Sequence, residues 1–417
     1  MRREDFEIMA PAGSHEALVS ALDAGADAVY FGVDKLNMRA GSAANFSLSD
    51  LEQIVKLAHG KGVKCYLTAN TVIYDQEAGE MRLVIESAMH AGIDAVIATD
   101  MATIEFAHGI GMPLHLSTQV NITNCMAVEY HSRHADVMVL ARELTLSQIK
   151  HISDYIASND IRGPSGKLVR LEAFIHGALC MAISGKCYLS LHEHNRSANR
   201  GLCYQTCRKG YIVTERESGY QLEIDNEYIM SPKDLCTIGF IDKIAEAGIT
   251  IMKIEGRARP GEYVKTVTRC YDEALHSIID GTYGEEKIEG WRKRLSAVFN
   301  RGFWDGYYMG KRLGEWSHRY GSSATRTKRY LGKVTNYYTK KRVAEITLEN
   351  GDLQPGDRIY IAGPTTGVTE MVAEEVRVGM EPVEKAHKGE VCSIPSELFL
   401  RRSDKVYHIV ETGRGEG

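Results

Sequence analysis

The sequence predicts an α/β fold: a TIM-type (β/α)8 barrel with a cysteine-rich insertion, followed by a small C-terminal β-barrel domain. Three observations predict it. Eight short apolar runs recur between residues 7 and 256, the gap before the last run is stretched by a cysteine-rich segment, and after residue 327 the pattern changes to short alternating strands. At 417 residues, with 44% hydrophobic and 25% charged residues and only 9 prolines, the chain has the composition of a globular protein with a substantial core. A lone binding module and a mainly disordered chain are excluded.

The first run is EIMAPAG at 7–13. Four later segments share one pattern, a small-residue helix end, a tight turn and an apolar run: AGADAVYFGV at 24–33, AGIDAVIATD at 91–100, HADVMVLARE at 134–143 and AGITIMKIEG at 247–256. VKCYLTAN at 63–70, LHLSTQV at 114–120 and LEAFIHG at 171–177 complete the eight. Helical spacers such as 46–60, 77–91 and 145–157 separate most of them, and the runs lack clean period-2 alternation, as strands covered on both faces do. A doubly wound open sheet satisfies the same alternation, and in either fold the ligand site lies at the C-terminal ends of the strands.

Those ends carry Ser14, Glu16, Asn70, Asp100, Gln119, Asn121, Arg142, Glu143, His176, Lys253, Glu255 and Arg257. Ser14 and Asp100 read equally well as helix caps, and Arg142–Glu143 and Glu255–Arg257 as mutually satisfied ion pairs. A guanidinium fork suits a carboxylate, so Arg142 and Arg257, with Lys253, Asn70 and Gln119, are the candidate binders of an anionic substrate. His176 and Glu255 are the candidate proton-transfer groups, with Arg257 beside them as a catalytic candidate.

About 70 residues separate His176 from Ile249, roughly twice what a loop and helix need. The excess contains Cys180, Cys187, Cys203, Cys207 and Cys236, more than half of the nine cysteines. Clustered thiols without an export signal point to metal or redox chemistry, and at a barrel mouth they suit a 4Fe-4S cluster or a tetrahedral zinc. The alternative is a set of inert buried thiols. The spacings match neither zinc-ribbon knuckles nor the ferredoxin run, so spacing alone leaves the metal open. GPSGK at 163–167 lacks the P-loop spacing, HEH at 192–194 lacks that of a zinc protease, and no GxSxG occurs.

The segment EAFIHGALCMAISGKCYLS, Glu172 to Ser190, resembles the signature of peptidase family U-32, matching at Phe174, Gly177, Cys180, Gly185, Cys187 and Ser190. The resemblance extends through NRGLCYQTCR at 199–208, SPKDLC at 231–236, KIEGRAR at 253–259 and, near the N-terminus, APAGSHEAL and DAVYFGV. It implies oxygen-independent hydroxylation of RNA, nearest to the branch that makes 5-hydroxyuridine at the tRNA wobble position with prephenate as oxygen source, rather than the collagenase activity for which the family was named. It also implies a 4Fe-4S cluster on Cys180, Cys187, Cys203 and Cys236, with Cys207 competing for the fourth place. The implied partners are tRNA and a small carboxylate donor, with the need for a second family member left open.

From Trp291 to Arg342 the chain has 14 Lys and Arg against Asp305 and Glu315, a local +12 that leaves −17 for the remainder of a net −5. The same stretch holds all three tryptophans (Trp291, Trp304, Trp316) and Phe303, Tyr307, Tyr308, Tyr320, Tyr330, Tyr337 and Tyr338. Cations interleaved with rings suit single-stranded RNA, whereas the plainer reading is a solvated helix face plus aromatics docking a linker. The expected organisation is a barrel over 1–290 with the insertion at 178–240, a basic aromatic linker over 291–326 and the β domain over 327–412. With no apolar stretch of about 20 residues and no apolar region behind the N-terminal arginines, a cytoplasmic protein without membrane contact is expected.

Overall fold

The structure is a computed structural model describing residues 1–412 except 35, 42, 45, 210–212, 215, 220, 223–230, 311–314 and 318–320. Eight parallel strands form its centre: β1 (Glu7–Pro11), β2 (Ala28–Phe31), β3 (Lys64–Ala69), β4 (Ala95–Ala98), β5 (Leu114–Leu116), β6 (Val137–Val139), β7 (Arg170–Gly177) and β8 (Ile249–Ile254). Each pairs with the next in sequence up to β7, and β8 pairs in parallel with both β7 and β1, so the sheet closes. Closure excludes the open doubly wound alternative. All eight apolar runs of the sequence are barrel strands.

The apolar runs are continuous because both faces are covered. Outward residues such as Ile8, Val29, Leu67 and Val96 pack under the helices in one large core, each contributing roughly 1.5–3 kcal/mol by leaving water. The inner face is mixed. Met9, Tyr30, Ile97 and Ile251 fill it beside the charged Glu7, Glu172 and Lys253.

The insertion after β7 returns through a short strand, Asp234–Cys236, antiparallel to the end of β7 with Leu235 opposite Gly177 and Cys236 opposite His176. Arginines tie it down. Arg208 donates to Leu179 O (2.5 Å), Ser231 Oγ (2.8 Å) and Pro232 O (2.9 Å), and Arg200 reaches back to Val72 O (2.7 Å) and Glu77.

The C-terminal region is an eight-stranded antiparallel sheet with its own buried core, including Leu331, Ile346, Ile361, Cys392 and Val406. Its longest strand, Arg326–Tyr338, pairs with Lys405–Glu411 and Val343–Leu348. One of its strands is Gly367–Val372. It packs on the barrel helix His15–Leu22, where a Cβ on Gly367 would come within 2.9 Å of Val19. Among the described residues no helix is long and apolar enough to cross a membrane.

Candidate functional site

At the C-terminal end of the barrel a cavity of about 80 Å³ is walled by strand-end residues, Asn70, Gln119, Arg142, Lys253, Glu255 and Arg257 among them. Arg39, from the loop after β2, joins this wall and places its Nη2 2.5 Å from Glu255 Oε1. Asn37 organises the corner: its Oδ1 accepts from Arg39 N (3.0 Å) and from Arg257 Nη1 (3.1 Å), and Arg257 Nη1 also donates to Thr68 Oγ1 (2.7 Å). Arg142 stacks its guanidinium 4.0 Å from the Phe174 ring centroid and donates to Ala178 O. The Nε groups of Arg142 and Arg257 are buried without a hydrogen-bond partner among the described residues. A buried, unmatched guanidinium N–H costs about 1–3 kcal/mol, which a bound anion would offset.

The electrostatics are those of an anion site. Burial alone would raise Glu255, but Arg39, Arg142 and Arg257 bring it down to about 2. Burial pulls Arg257 down to about 10. Behind them Lys253 donates to Glu172 Oε1 at 2.6 Å, and His115 Nδ1 meets the other Glu172 oxygen at 3.0 Å. Backbone fit at this corner depends on Gly13, because a Cβ there would stand 1.6 Å from Arg257 O. Gly13→Ala is expected to push the Arg257 turn outward, costing about 1–3 kcal/mol of stability by overpacking. A urea midpoint equal to wild type would contradict this.

Above the mouth the insertion lines a larger cavity, about 750 Å³, with Cys180, Cys187, Cys203 and Cys207. Arg39, Cys180, Gly185 and Glu255 belong to the walls of both cavities, so the two adjoin. Gly185 turns the insertion at φ +77° directly over Gln119. Burial pushes the Cys207 thiol up, Arg208 opposes that, and the charges of Cys180, Cys203 and Cys187 push it further, which marks the four as neighbours. All nine cysteines are free thiols. One exposed ring, Tyr188, lines this cavity at 77% accessibility.

The sequence profile of Peptidase family U32 matches residues 13–318, which cover the barrel from just after β1, the insertion and the first part of the basic segment. The chain belongs to peptidase family U32. It is 57% identical to a collagenase of Porphyromonas gingivalis over 98% of both chains. It is 30% identical to tRNA hydroxylation protein P1 of Bacillus subtilis, over 86% of this chain and 83% of that one. A 23S rRNA 5-hydroxycytidine synthase of Escherichia coli is 33% identical over 74% of this chain and 46% of its own. Relatives with two differently named activities thus share the U32 barrel, and the site has to discriminate between them.

The U32 signature, Glu172 to Ser190, reaches both cavities: Phe174 lies at the barrel mouth with Glu172 behind it, and Cys180 and Cys187 line the thiol cavity. The mouth gathers Arg142, Arg257, Lys253, Asn70, Gln119 and Glu255 in one wall. Three of the expected residues sit in surroundings unlike those expected of them. His176 lines neither cavity among the described residues; it is 1% exposed against the Tyr271 hydroxyl (3.3 Å), and burial lowers it to about 3, which keeps the ring neutral. Glu255, held near 2 by three arginines, is a fixed countercharge rather than a proton carrier. Cys236 is buried and lines neither cavity, whereas Cys207 lines the larger cavity with Cys180, Cys187 and Cys203.

Neither expected ion pair forms. Glu255 meets Arg39 instead of Arg257, and Arg142 stacks on Phe174 while Glu143 is exposed. Ser14 and Asp100 serve as helix caps. Asn37, Arg39 and Glu172 are functional-site residues that strand-end reasoning missed. The first two sit deep in a loop, and Glu172 points inward midway along β7. The sole cue was an arginine in the polar stretch after β2.

The basic aromatic segment differs from its sequence reading too. Trp291, Trp304 and Tyr308 are core residues, with Trp291 Nε1 donating to Glu273 (2.9 Å) and Tyr308 OH to Phe174 O (2.7 Å). Its cations are answered by carboxylates from elsewhere in the chain: Arg294 by Glu273 (2.5 Å), Arg301 by Asp234 (3.3 Å), Arg326 by Glu411 (2.9 Å) and Lys333 by Glu349 (2.7 Å). These four of the fourteen cations are thus paired on folding, and Trp291, Trp304 and Tyr308 dock elements together. Tyr320 with Lys311, Arg312 and Arg319 lies outside the described residues.

Proposed function

We propose that this protein hydroxylates an RNA base without molecular oxygen, at C5 of the tRNA wobble uridine, using a prephenate-like carboxylate as oxygen donor. The observation that carries the reading is the adjoining pair of cavities. The inner one offers unmatched guanidinium donors to a small carboxylate. The outer one offers four thiols and the exposed ring of Tyr188, on which an unstacked base could lie. The relatives named for tRNA and rRNA hydroxylation support RNA as the partner.

Cys180, Cys187, Cys203 and Cys207 are the residues that would hold a 4Fe-4S cluster, and thiolates are its natural donors. Among the described residues no three His, Cys, Asp or Glu side chains form a group that could hold a metal ion, so what supports the cluster is the four thiols lining one cavity. Such a cluster would supply electron transfer or Lewis-acid chemistry. The chain's own groups do the rest: Arg142 and Arg257 bind and orient the donor, Arg39 and Glu255 line both cavities, and Tyr188 receives the base.

Mass spectrometry of tRNA nucleosides from a deletion strain tests this, with loss of 5-hydroxyuridine and its derivatives expected. Unchanged levels would sink it. The second reading, a peptidase, is favoured by the 57% identical relative named collagenase. Iron-free purified protein that cleaves gelatin would support that reading.

A further inference from the structure

Lys253 is a lysine walled into the barrel. It is 4% exposed, its Nζ lies 2.6 Å from Glu172 Oε1 and 4.5 Å from the Tyr30 ring centroid, and it forms part of the inner cavity wall with Arg142 and Arg257. Glu172 is fully buried and held from its far side by His115. At roughly 10–15 Å³ per water-sized probe, the cavity's 80 Å³ takes only a few non-hydrogen atoms, about a carboxylate joined to one carbonyl. Two guanidinium groups already satisfy a carboxylate without the lysine. Burial and the neighbouring Arg257 favour the neutral, nucleophilic form of this amine, whereas Glu172 and the Tyr30 ring face favour the ammonium. Burial does pull Lys253 below its ordinary range, with Glu172 opposing.

We infer that Lys253 captures the ketone of a 2-oxo carboxylate as a covalent imine while Arg142 and Arg257 hold the carboxylate, an inference that rests on the carboxylate reading of the mouth. Glu172 first takes a proton from the ammonium. The freed amine adds to C2, forming the C–N bond, and the carbonyl oxygen becomes a hydroxyl by taking a proton from the attacking nitrogen. Glu172 then returns its proton to that hydroxyl, which leaves as water while the nitrogen lone pair closes the protonated imine. No oxidant or reductant is consumed. The imine draws electrons from the adjoining carbon, which eases bond breaking there.

The test is to incubate the full chain with pyruvate, reduce with cyanoborohydride and map the modified peptides by mass spectrometry. A saturable reduced adduct on Lys253, displaced by lactate, which has the carboxylate but no ketone, is expected. Because mapping uses the native protein, the result does not depend on whether Lys253→Met folds. An unmodified Lys253 in protein that binds lactate by calorimetry would overturn the imine and leave the carboxylate reading standing. Binding of neither pyruvate nor lactate would overturn both. Glu172→Gln is expected to slow adduct formation by roughly 100-fold, as loss of general acid–base help does; an unchanged rate would overturn the proton path.

Discussion

Serine at Cys180, Cys187, Cys203 or Cys207 is expected to remove most of the iron and sulfide from anaerobically purified protein and to abolish base hydroxylation, whereas Cys236→Ser keeps the full iron content. The contrast follows from placement: four thiols share one cavity wall, and the fifth is sealed behind the mouth beside Tyr271. A buried hydroxyl lacking good partners costs about 1–3 kcal/mol, so Cys236→Ser is expected to lower the unfolding midpoint instead. Iron analysis and thermal melts on the five variants decide it. Iron lost from Cys236→Ser and retained in Cys207→Ser would reverse the assignment.

The second large effect concerns Glu255. Its carboxylate is the countercharge for Arg39, Arg142 and Arg257, and removing one partner of a buried ionic group costs about 3–5 kcal/mol because the remaining charges stay buried. Glu255→Leu is expected to lose that much in urea denaturation. The pH dependence has a definite sign. The folded value, about 2, lies below the ordinary 4.5, so the stabilisation is fully present above pH 4.5 and is lost as pH falls through 2. That difference corresponds to about 3 kcal/mol. Wild-type stability should therefore fall between pH 4.5 and 2, and Glu255→Gln should flatten this part of the profile. An unchanged acid limb in the variant would show that Glu255 is not the group responsible.

Barrel strands were legible in the sequence because a strand covered on both faces must be apolar throughout, and eight such runs separated by helices leave few topologies. The strand-end residues were legible for the same reason, since parallel strands all deliver their C-terminal ends to one rim. Their roles were not. His176 and Glu255 are chemically suited to proton transfer as residue types, and only burial and three converging arginines take that role from them. Arg39 and Asn37 were hidden because a loop's path is set by what it lands on, here Glu255 and Arg257, more than 200 residues away. The charge of the 291–342 stretch misled in a related way: local composition counts cations but not the distant carboxylates that meet them. Choosing between Cys207 and Cys236 likewise needed the path of the insertion.

The contact of Arg257 with Gly13, Asn37 and Thr68 has a consequence for the order of events during synthesis. The cysteines leave the ribosome well before Arg257 does. Until Arg257 emerges and β8 closes the barrel against β1 and β7, the nascent chain has the thiols and Arg142 but no finished rim to anchor their loop. Chains truncated before residue 257 should therefore carry an incomplete donor site, lacking the Arg257 guanidinium and its ties to Asn37 and Thr68.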